Sequence, residues 1–270
     1  MNSTVIVPWA LVALLAAATA ALAANVRRYR RARRQEGRAR PWRIPRRPLG
    51  DFDPVFAPGP FGPTLATEVQ FVGRGDGDVP GGTTDLEAWV LAVLAKRATR
   101  LFEFGTCTGK TAYLWARNAP PEARVTTLTL APDALGAYAH APGDDARAAA
   151  RAAAESRFAC FVYAGTAVAH KVEQLFGDSK AFDEAPYAGA CDLVFVDGSH
   201  AYSYVVSDSR KALRMVRPGG IVLWHDYAGP AWAPDVERAL NEFATALPLT
   251  HLAGTKLVAY RHPHAAAVPR

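Results

Sequence analysis

Apolar residues recur along this chain with two periods, and the switches between them mark out alternating strands and helices. From residue 80 onward the alternation is regular. Thr84-Asp85-Leu86-Glu87 has the form of a capping box, and Leu86, Val90, Leu91 and Leu94 follow at helical spacing. Leu101–Phe104 predicts a short strand, broken by Gly105 and followed by a helix through Leu114 and Trp115. Val125–Leu130 and Val172–Phe176 predict two more strands. Asp192–Asp197 (DLVFVD) is a continuous apolar run closed by an acid, the pattern of a strand buried on both faces. Tyr202, Val205, Val206, Ala212, Leu213 and Val216 then fall at the 3.6-residue spacing of a helix. Pro218-Gly219-Gly220 turns the chain into a strand at Ile221–Trp224, which ends on His225-Asp226. A helix near Val236–Leu247 and a strand at Lys256–Tyr260 complete the order. Repeated strand–helix units predict an α/β fold with a doubly wound, mostly parallel sheet. The stretch 131–170 is too long for a simple connection, and its Ala/Arg-rich part, 145–157, has helical composition. It reads either as an insertion covering a site or as a solvated surface helix.

The first part of the chain is patterned differently. Val5–Ala24 is twenty residues without a charge, and at about 1.5 Å per helical residue it would span roughly 30 Å, the thickness of a bilayer core. A cleaved signal peptide would carry positive charge before the apolar run; here the arginines come after it. The expectation is one N-terminal transmembrane helix, N-out, with the body of the chain cytoplasmic and the arginines against anionic headgroups. The Arg-, Pro- and Gly-rich residues that follow read as an extended tether. The expected division is an anchor over 1–24, a juxtamembrane tether over 25–63, a domain over 64–262 and a tail over 263–270.

Charge changes the picture only once it is located. The net charge is +6, yet eleven arginines lie between Arg27 and Arg47 beside one acid, Glu36, leaving 20 basic and 24 acidic residues for the rest. The body is therefore acidic overall, and no nucleic-acid partner is expected. Cys107, Cys160 and Cys191 show no CxxC or Cys/His ligand spacing, so they indicate neither a disulfide framework nor a structural zinc site.

The glycine loop LFEFGTCTGKT (101–111) follows a predicted strand and opens a predicted helix, where backbone N–H groups can meet a polar ligand. A Walker A loop needs four residues between its glycine and Gly-Lys-Thr; Gly105 leaves only three. A dinucleotide fingerprint needs glycine where Cys107 stands, and an acid at the end of the second strand, which here reads Thr-Leu-Thr-Leu. What remains is Glu-x-Gly-x-x-x-Gly, the pattern of class I methyltransferases, or a plain strand-to-helix turn.

Several segments in order make the resemblance specific: GTCTGKTAYLWARNAP, TLTLAPD, QLFGDS, DLVFVDGSHAYSYVVSDSRKAL and RPGGIVLWHDY. Together they resemble methyltransferase domain family 24 over roughly residues 80–262, and DGSH…PGG…HD is the most specific block. The resemblance implies a class I, Rossmann-like fold and S-adenosylmethionine as cofactor. It implies that Glu103, Gly105, Thr106, Cys107 and Gly109 line the methionine and ribose part, with Glu103 facing the amino group and Asp178 and Ser179 at the adenine. The family usually places an acid at the end of the second strand for the ribose hydroxyls. Here that position is Thr129, with Asp133 four residues later, and either could substitute.

Asp197 and Asp226 close two neighbouring predicted strands, so their carboxylates should converge at one edge of the sheet. With His225 they make a candidate Mg²⁺ site, since Mg²⁺ takes few protein carboxylates and keeps its waters. His200 or His225 could instead act as a base. Asp197 and His200 are the candidate catalytic residues; in the alternative, the aspartates cap helices and the histidines bond locally. The expected activity is methyl transfer to an oxygen of a small molecule or glycan. The alternatives are hydroxylase-like chemistry on the same fold, or a membrane-tethered, non-enzymatic binding module. A homo-oligomer is compatible with all three.

Overall fold

The computed structural model describes residues 14–27, 42–57, 69 and 82–264. The chain divides into two units, Met1–Arg43 and Ile44–Arg270. In the first, residues 14–27 form a helix, α1, on which Leu14, Leu15 and Leu22 are exposed. Among the described residues no helix is long and apolar enough to cross a membrane. At about 1.5 Å per residue the described part of α1 covers some 20 Å of the roughly 30 Å that a transmembrane span needs. Residues 1–13 of the expected anchor, 28–41 and 58–63 of the expected tether, 64–68 and 70–81 of the expected domain and 265–270 of the tail lie outside the described residues.

The second unit begins at Ile44 rather than at 64, because the segment after Arg43 is packed. Ile44 is fully buried in the core. Strand β1 (Arg46–Arg47) pairs in parallel with β7 (Thr250–Leu252), and the short helix α2 (Leu49–Phe52) follows. Arg261 bonds the carboxylate of Asp53, whose other oxygen accepts the Val55 backbone N–H at 2.8 Å. An Arg/Pro-rich composition alone gives no sign of this docking; the apolar Ile44, set among arginines and prolines, is what anchors it.

Helix α3 (Asp85–Ala95) starts on the expected capping box: Thr84 accepts the Glu87 N–H, and the Glu87 carboxylate accepts the Thr84 N–H at 2.8 Å. Then come β2 (Arg100–Phe104), α4 (Lys110–Asn118), β3 (Arg124–Thr129), α5 (Arg147–Glu155) and β4 (Val172–Phe176). After these come β5 (Cys191–Val196), α6 (Tyr202–Met215), β6 (Val216–Trp224), α7 (Pro234–Phe243), β7 and β8 (Val258–Arg261). The eight-stranded sheet runs β1-β7-β8-β6-β5-β2-β3-β4. Strands β2 to β6 are mutually parallel, and β8 is antiparallel to β6 and β7. The doubly wound, mostly parallel sheet is thus present.

Period-two alternation divides the core between the two faces of the sheet. Leu101, Leu193, Phe195, Ile221 and Leu223 pack with α3 and α4, whereas Phe102, Phe104, Val194, Val222 and Trp224 pack with α6 and α7. Chain order reverses between β2 and β5: β3 and β4 lie to one side of β2, and β5 and β6 to the other. Such a switch point opens a crevice at the C-terminal ends of the strands, and there the ligand site of an open α/β sheet is found.

Candidate active site

Strand register decides which side chains meet in that crevice. Phe104 is level with Val196, and Val196 with Trp224, so Gly105, Asp197 and His225 emerge side by side. The Asp197 N–H donates to the Phe104 carbonyl at 2.9 Å, and the Gly105 N–H to the Leu128 carbonyl at 2.8 Å. A Cβ on Gly105 would stand 2.1 Å from the Asp197 carbonyl oxygen, so only glycine fits, and its φ of +98° also requires one.

Two cavities adjoin here. The first is lined by the end of β3 (Leu128–Leu130), by Gly177–Ser179 after β4, and by Tyr138, Ala152, Tyr204 and Asp208. The second is lined by Glu103, Thr106, Lys110, Thr111, Arg151, His200, His225, Asp226, Trp232 and Lys256. Gly105, Cys107, Glu155 and Asp197 border both.

On the β2 side, polar groups satisfy one another. Glu103 is buried at the top of the strand, where Thr127 Oγ1 donates to its Oε2 at 2.6 Å. Thr106 and Thr127 share a 2.8 Å hydroxyl contact, and Gln174 Nε2 donates to Thr106 Oγ1 at 3.1 Å. Burial, only partly offset by the Thr127 hydrogen bond, pushes the Glu103 carboxyl up to about 8. Burial likewise raises the Cys107 thiol to about 12, which leaves it an unreactive wall rather than a nucleophile. Gly109 borders neither cavity; at φ +79° it caps α4 against Phe161 and Tyr163. Thr129, Asp178 and Ser179 line the first cavity. Asp133 does not: it is exposed at the start of the insertion, beyond the point where the chain has turned away from the end of β3.

On the β5–β6 side acids and imidazoles meet one another directly. Asp197, His225 and Asp226 bring ligand atoms within 4.8 Å of one another. His225 Nδ1 lies 3.1 Å from Asp197 Oδ1 and 3.4 Å from Asp226 Oδ2, and its Nε2 lies 3.4 Å from Glu87 Oε2. Burial opposes a charge on His225, but these three carboxylates outweigh it and raise its pKa well above the ordinary value. Burial raises Asp197 even against the pull of His225. Asp226 is held far below the carboxylate range: its burial is overcome by hydrogen bonds and charge from His200 and His225. Glu87 is similarly buried, yet His225 and the backbone N–H groups of Lys256 and Thr84 bring it down to about 2. Asp226 adopts φ +59°, a left-handed conformation that a non-glycine residue keeps only when its surroundings fix it. Trp232 Nε1 does so by donating to Asp226 Oδ1 at 3.0 Å.

His200 is placed differently from a free base. Arg151 donates to its Nδ1, and its Nε2 lies 2.9 Å from Asp226 Oδ2. Nδ1 is therefore the acceptor and Nε2 carries the proton, so neither nitrogen offers a lone pair to a substrate. Asp197 keeps Oδ2 without a hydrogen bond among the described residues and borders both cavities.

Sequence reasoning did not single out Arg151, Glu155, Trp232 or Lys256. Arg151 and Glu155 stand one helical turn apart on α5, with Ala148 and Ala152 filling the buried side of the same helix. That i, i+4 spacing was the available signal. Residues of the insertion thus line both cavities. Burial, with the nearby Asp197 charge and against the pull of His200, pushes the Glu155 carboxyl up to about 7.

Residues 102–227 match the family described as a methyltransferase domain. A 51-residue stretch is 35% identical to an uncharacterised protein of Acanthamoeba polyphaga mimivirus; it covers 19% of this chain and about a quarter (23%) of that relative. Among solved structures, the O-methyltransferase TomG of Streptomyces achromogenes, in complex with S-adenosylmethionine, is 24% identical. That match covers 67% of this chain and 82% of TomG, with a TM-score of 0.46. Cofactor-bound Rv0187 from MTB is 22% identical, over 74% of this chain and 86% of its own, with a TM-score of 0.46. The methyltransferase PaMTH1 of Podospora anserina, bound to S-adenosylhomocysteine, is 17% identical, over 68% and 81%, with a TM-score of 0.47.

Proposed function

We propose that this chain, whose residues 102–227 match a methyltransferase domain, transfers a methyl group from S-adenosylmethionine to an oxygen of a small molecule. One observation carries the reading: a crevice at the sheet's switch point joins a glycine loop directly to a buried cluster of carboxylates and histidines. Bound there, S-adenosylmethionine supplies an electrophilic methyl group on a sulfonium. The chain's own residues then have separate tasks. Asp178 and Ser179 hold the adenine end, Glu103 accepts the amino group, and Gly105 lets the backbone approach the ligand closely. Asp197, with one oxygen on His225 and the other directed to neither partner, takes the proton of the acceptor hydroxyl. Its raised affinity for a proton suits that task.

The cluster also fits a hard divalent cation, since it offers two carboxylates and an imidazole from adjacent strand ends. Asp197, Asp226 and His225 would hold Mg²⁺, which would lower the pKa of an acceptor hydroxyl. In its absence, protonated His225 and Lys256, whose Nζ is 3.8 Å from Asp226 Oδ1, balance the acids.

The test is calorimetry with S-adenosylhomocysteine, followed by transfer of labelled methyl from S-adenosylmethionine to a panel of small hydroxylated acceptors and glycans. Binding in the micromolar range and label on oxygen are expected. A folded protein that does not bind S-adenosylhomocysteine refutes the reading, and label found only on nitrogen refutes its oxygen specificity. We propose in addition that the uncharged run Val5–Ala24 and the arginines after it attach the enzyme to a membrane with its domain on the cytoplasmic side. A reporter active only outside the cytoplasm, fused after Arg270, should then be silent.

A further inference from the structure

The methyltransferase reading leaves one ligand group without a partner. The end of β3 offers the hydroxyl of Thr129 where the family's acid would meet the ribose hydroxyls, and Asp133 lies outside the cavity. A nucleoside whose base fills the first cavity and whose amino-acid arm enters the second must pass its ribose through their common border. Two carboxylates stand there, Asp197 and Glu155. Asp197 gives one oxygen to His225, and the other is the one assigned to the acceptor hydroxyl. Elsewhere in the first cavity, Asp178 accepts the Lys180 N–H at 3.0 Å, and Asp208 is buried beneath Gly198 at the adenine end. Glu155 has no hydrogen bond or ion pair among the described residues, although it is half-buried and borders the path of the ligand. It reaches that place because α5 lays Ala148 and Ala152 into the core and carries Glu155 a turn beyond Arg151, which is fixed on His200.

We propose that Glu155, delivered by the helix of the 131–170 insertion, is the ribose-binding carboxylate of this enzyme, in place of the acid missing from the end of β3. A carboxylate accepts two hydrogen bonds from a vicinal diol, and the unpaired oxygens of Glu155 are free to do so. The insertion is then part of the cofactor site and not only its cover. The inference rests on the methyltransferase reading above.

The experiment uses the full chain and two probes, S-adenosylhomocysteine and its 2′,3′-dideoxy analogue, titrated calorimetrically at pH 8 into wild type and Glu155→Gln. Wild type should prefer the natural compound by about tenfold to a hundredfold, as expected for a charge-assisted pair of hydrogen bonds. Glu155→Gln should lose most of that preference while binding the dideoxy compound as wild type does. Because Gln is isosteric and the site is at the cavity border, the variant keeps its fold; an unchanged thermal melt verifies this. If the preference persists in Glu155→Gln, the assignment of Glu155 is overturned while the methyltransferase reading stands. If wild type binds neither compound, both fall.

Discussion

Along the C-terminal edge of the sheet, the end of β2 and the ends of β5 and β6 are neighbours, yet they handle polarity in opposite ways. At β2, one buried acid is surrounded by threonine hydroxyls and backbone, and its burial drives it towards the neutral form. At β5 and β6, acids and imidazoles are packed against each other, and attraction between them raises His225 and lowers Asp226 despite their burial, while Asp197 is still raised. The first arrangement suits a region that must accept a ligand of fixed shape. The second suits a region that must move a proton or hold a cation. Desolvation is common to both; the presence of a partner of opposite charge decides the outcome.

Geometry at Gly105 offers the hardest way to break this division, because that residue belongs to both regions. With a Cβ 2.1 Å from the Asp197 carbonyl, Gly105→Val must displace β5 from β2 as well as fill the ligand's path. S-adenosylhomocysteine binding should fall by more than about a hundredfold, and the melting temperature should fall with it, by roughly 2–4 °C per kcal/mol. Even Gly105→Ala carries the clash. If Gly105→Ala bound the ligand like wild type, the close approach of the two strand ends would have no role.

Asp197→Asn and Asp226→Asn act on the charged region alone. Turnover should drop by about 10²–10⁴ in Asp197→Asn, the range for losing a positioned general base. Asp226→Asn should weaken Mg²⁺ binding and turnover together, with S-adenosylhomocysteine affinity within a few-fold of wild type, because Asp226 is absent from the first cavity, which takes the adenine. Chelator on wild type separates the two roles: full activity in chelator removes the metal but leaves Asp197 as base. Full activity in Asp197→Asn would remove the cluster from catalysis.

The two regions were also unequally legible. The glycine loop and the two terminal acids sit at strand ends that apolar runs announce, and the register of parallel strands brings them together without further information. Missing from the sequence pattern were β1 and β7, strands of two and three residues that are too short to show a period, and the start of the domain at Ile44. The helix read as ending at Leu247 stops at Phe243, leaving room for β7. The role of His200 was equally hidden. An imidazole beside Asp197 suggests a base, whereas its function as a bridge depends on Arg151, 49 residues earlier and inside the insertion. Contacts contributed by an insertion follow no strand register; the i, i+4 spacing of Arg151 and Glu155 shows that they share a helix face but not what that face meets.

That bridge yields a smaller effect. With both ring nitrogens engaged, His200 positions Asp226 and does not itself take a proton. His200→Gln should lower turnover by about tenfold to a hundredfold, the usual cost of losing a residue behind a ligand or base. The pH profile of the remaining activity should keep its wild-type form. A profile that loses its acidic limb in this variant would return the base role to His200.

The smallest effect concerns Glu103, and its sign tests the comparison directly. A carboxyl raised from 4.5 to about 8 on folding binds more protons folded than unfolded between those values. Its contribution to stability is therefore fully present below about 4.5 and is lost progressively as pH rises to about 8. Glu103→Gln has no such group, so its melting temperature should exceed that of wild type by a margin that widens from pH 5 to pH 8. Ligand binding should move the other way. An ammonium group placed against Glu103 favours the ionised form, so wild type should release a proton on binding and gain affinity for S-adenosylhomocysteine up to about pH 8. The glutamine variant should bind about tenfold more weakly at pH 8, with no proton release from this site; calorimetry in two buffers of different ionisation heat measures it. Part of the Glu103 shift comes from the charge on Asp197, an electrostatic link between the two regions. In Asp197→Asn, proton release by Glu103 should accordingly move to lower pH. If it stays where wild type has it, the two regions are electrically separate and burial alone sets the state of Glu103.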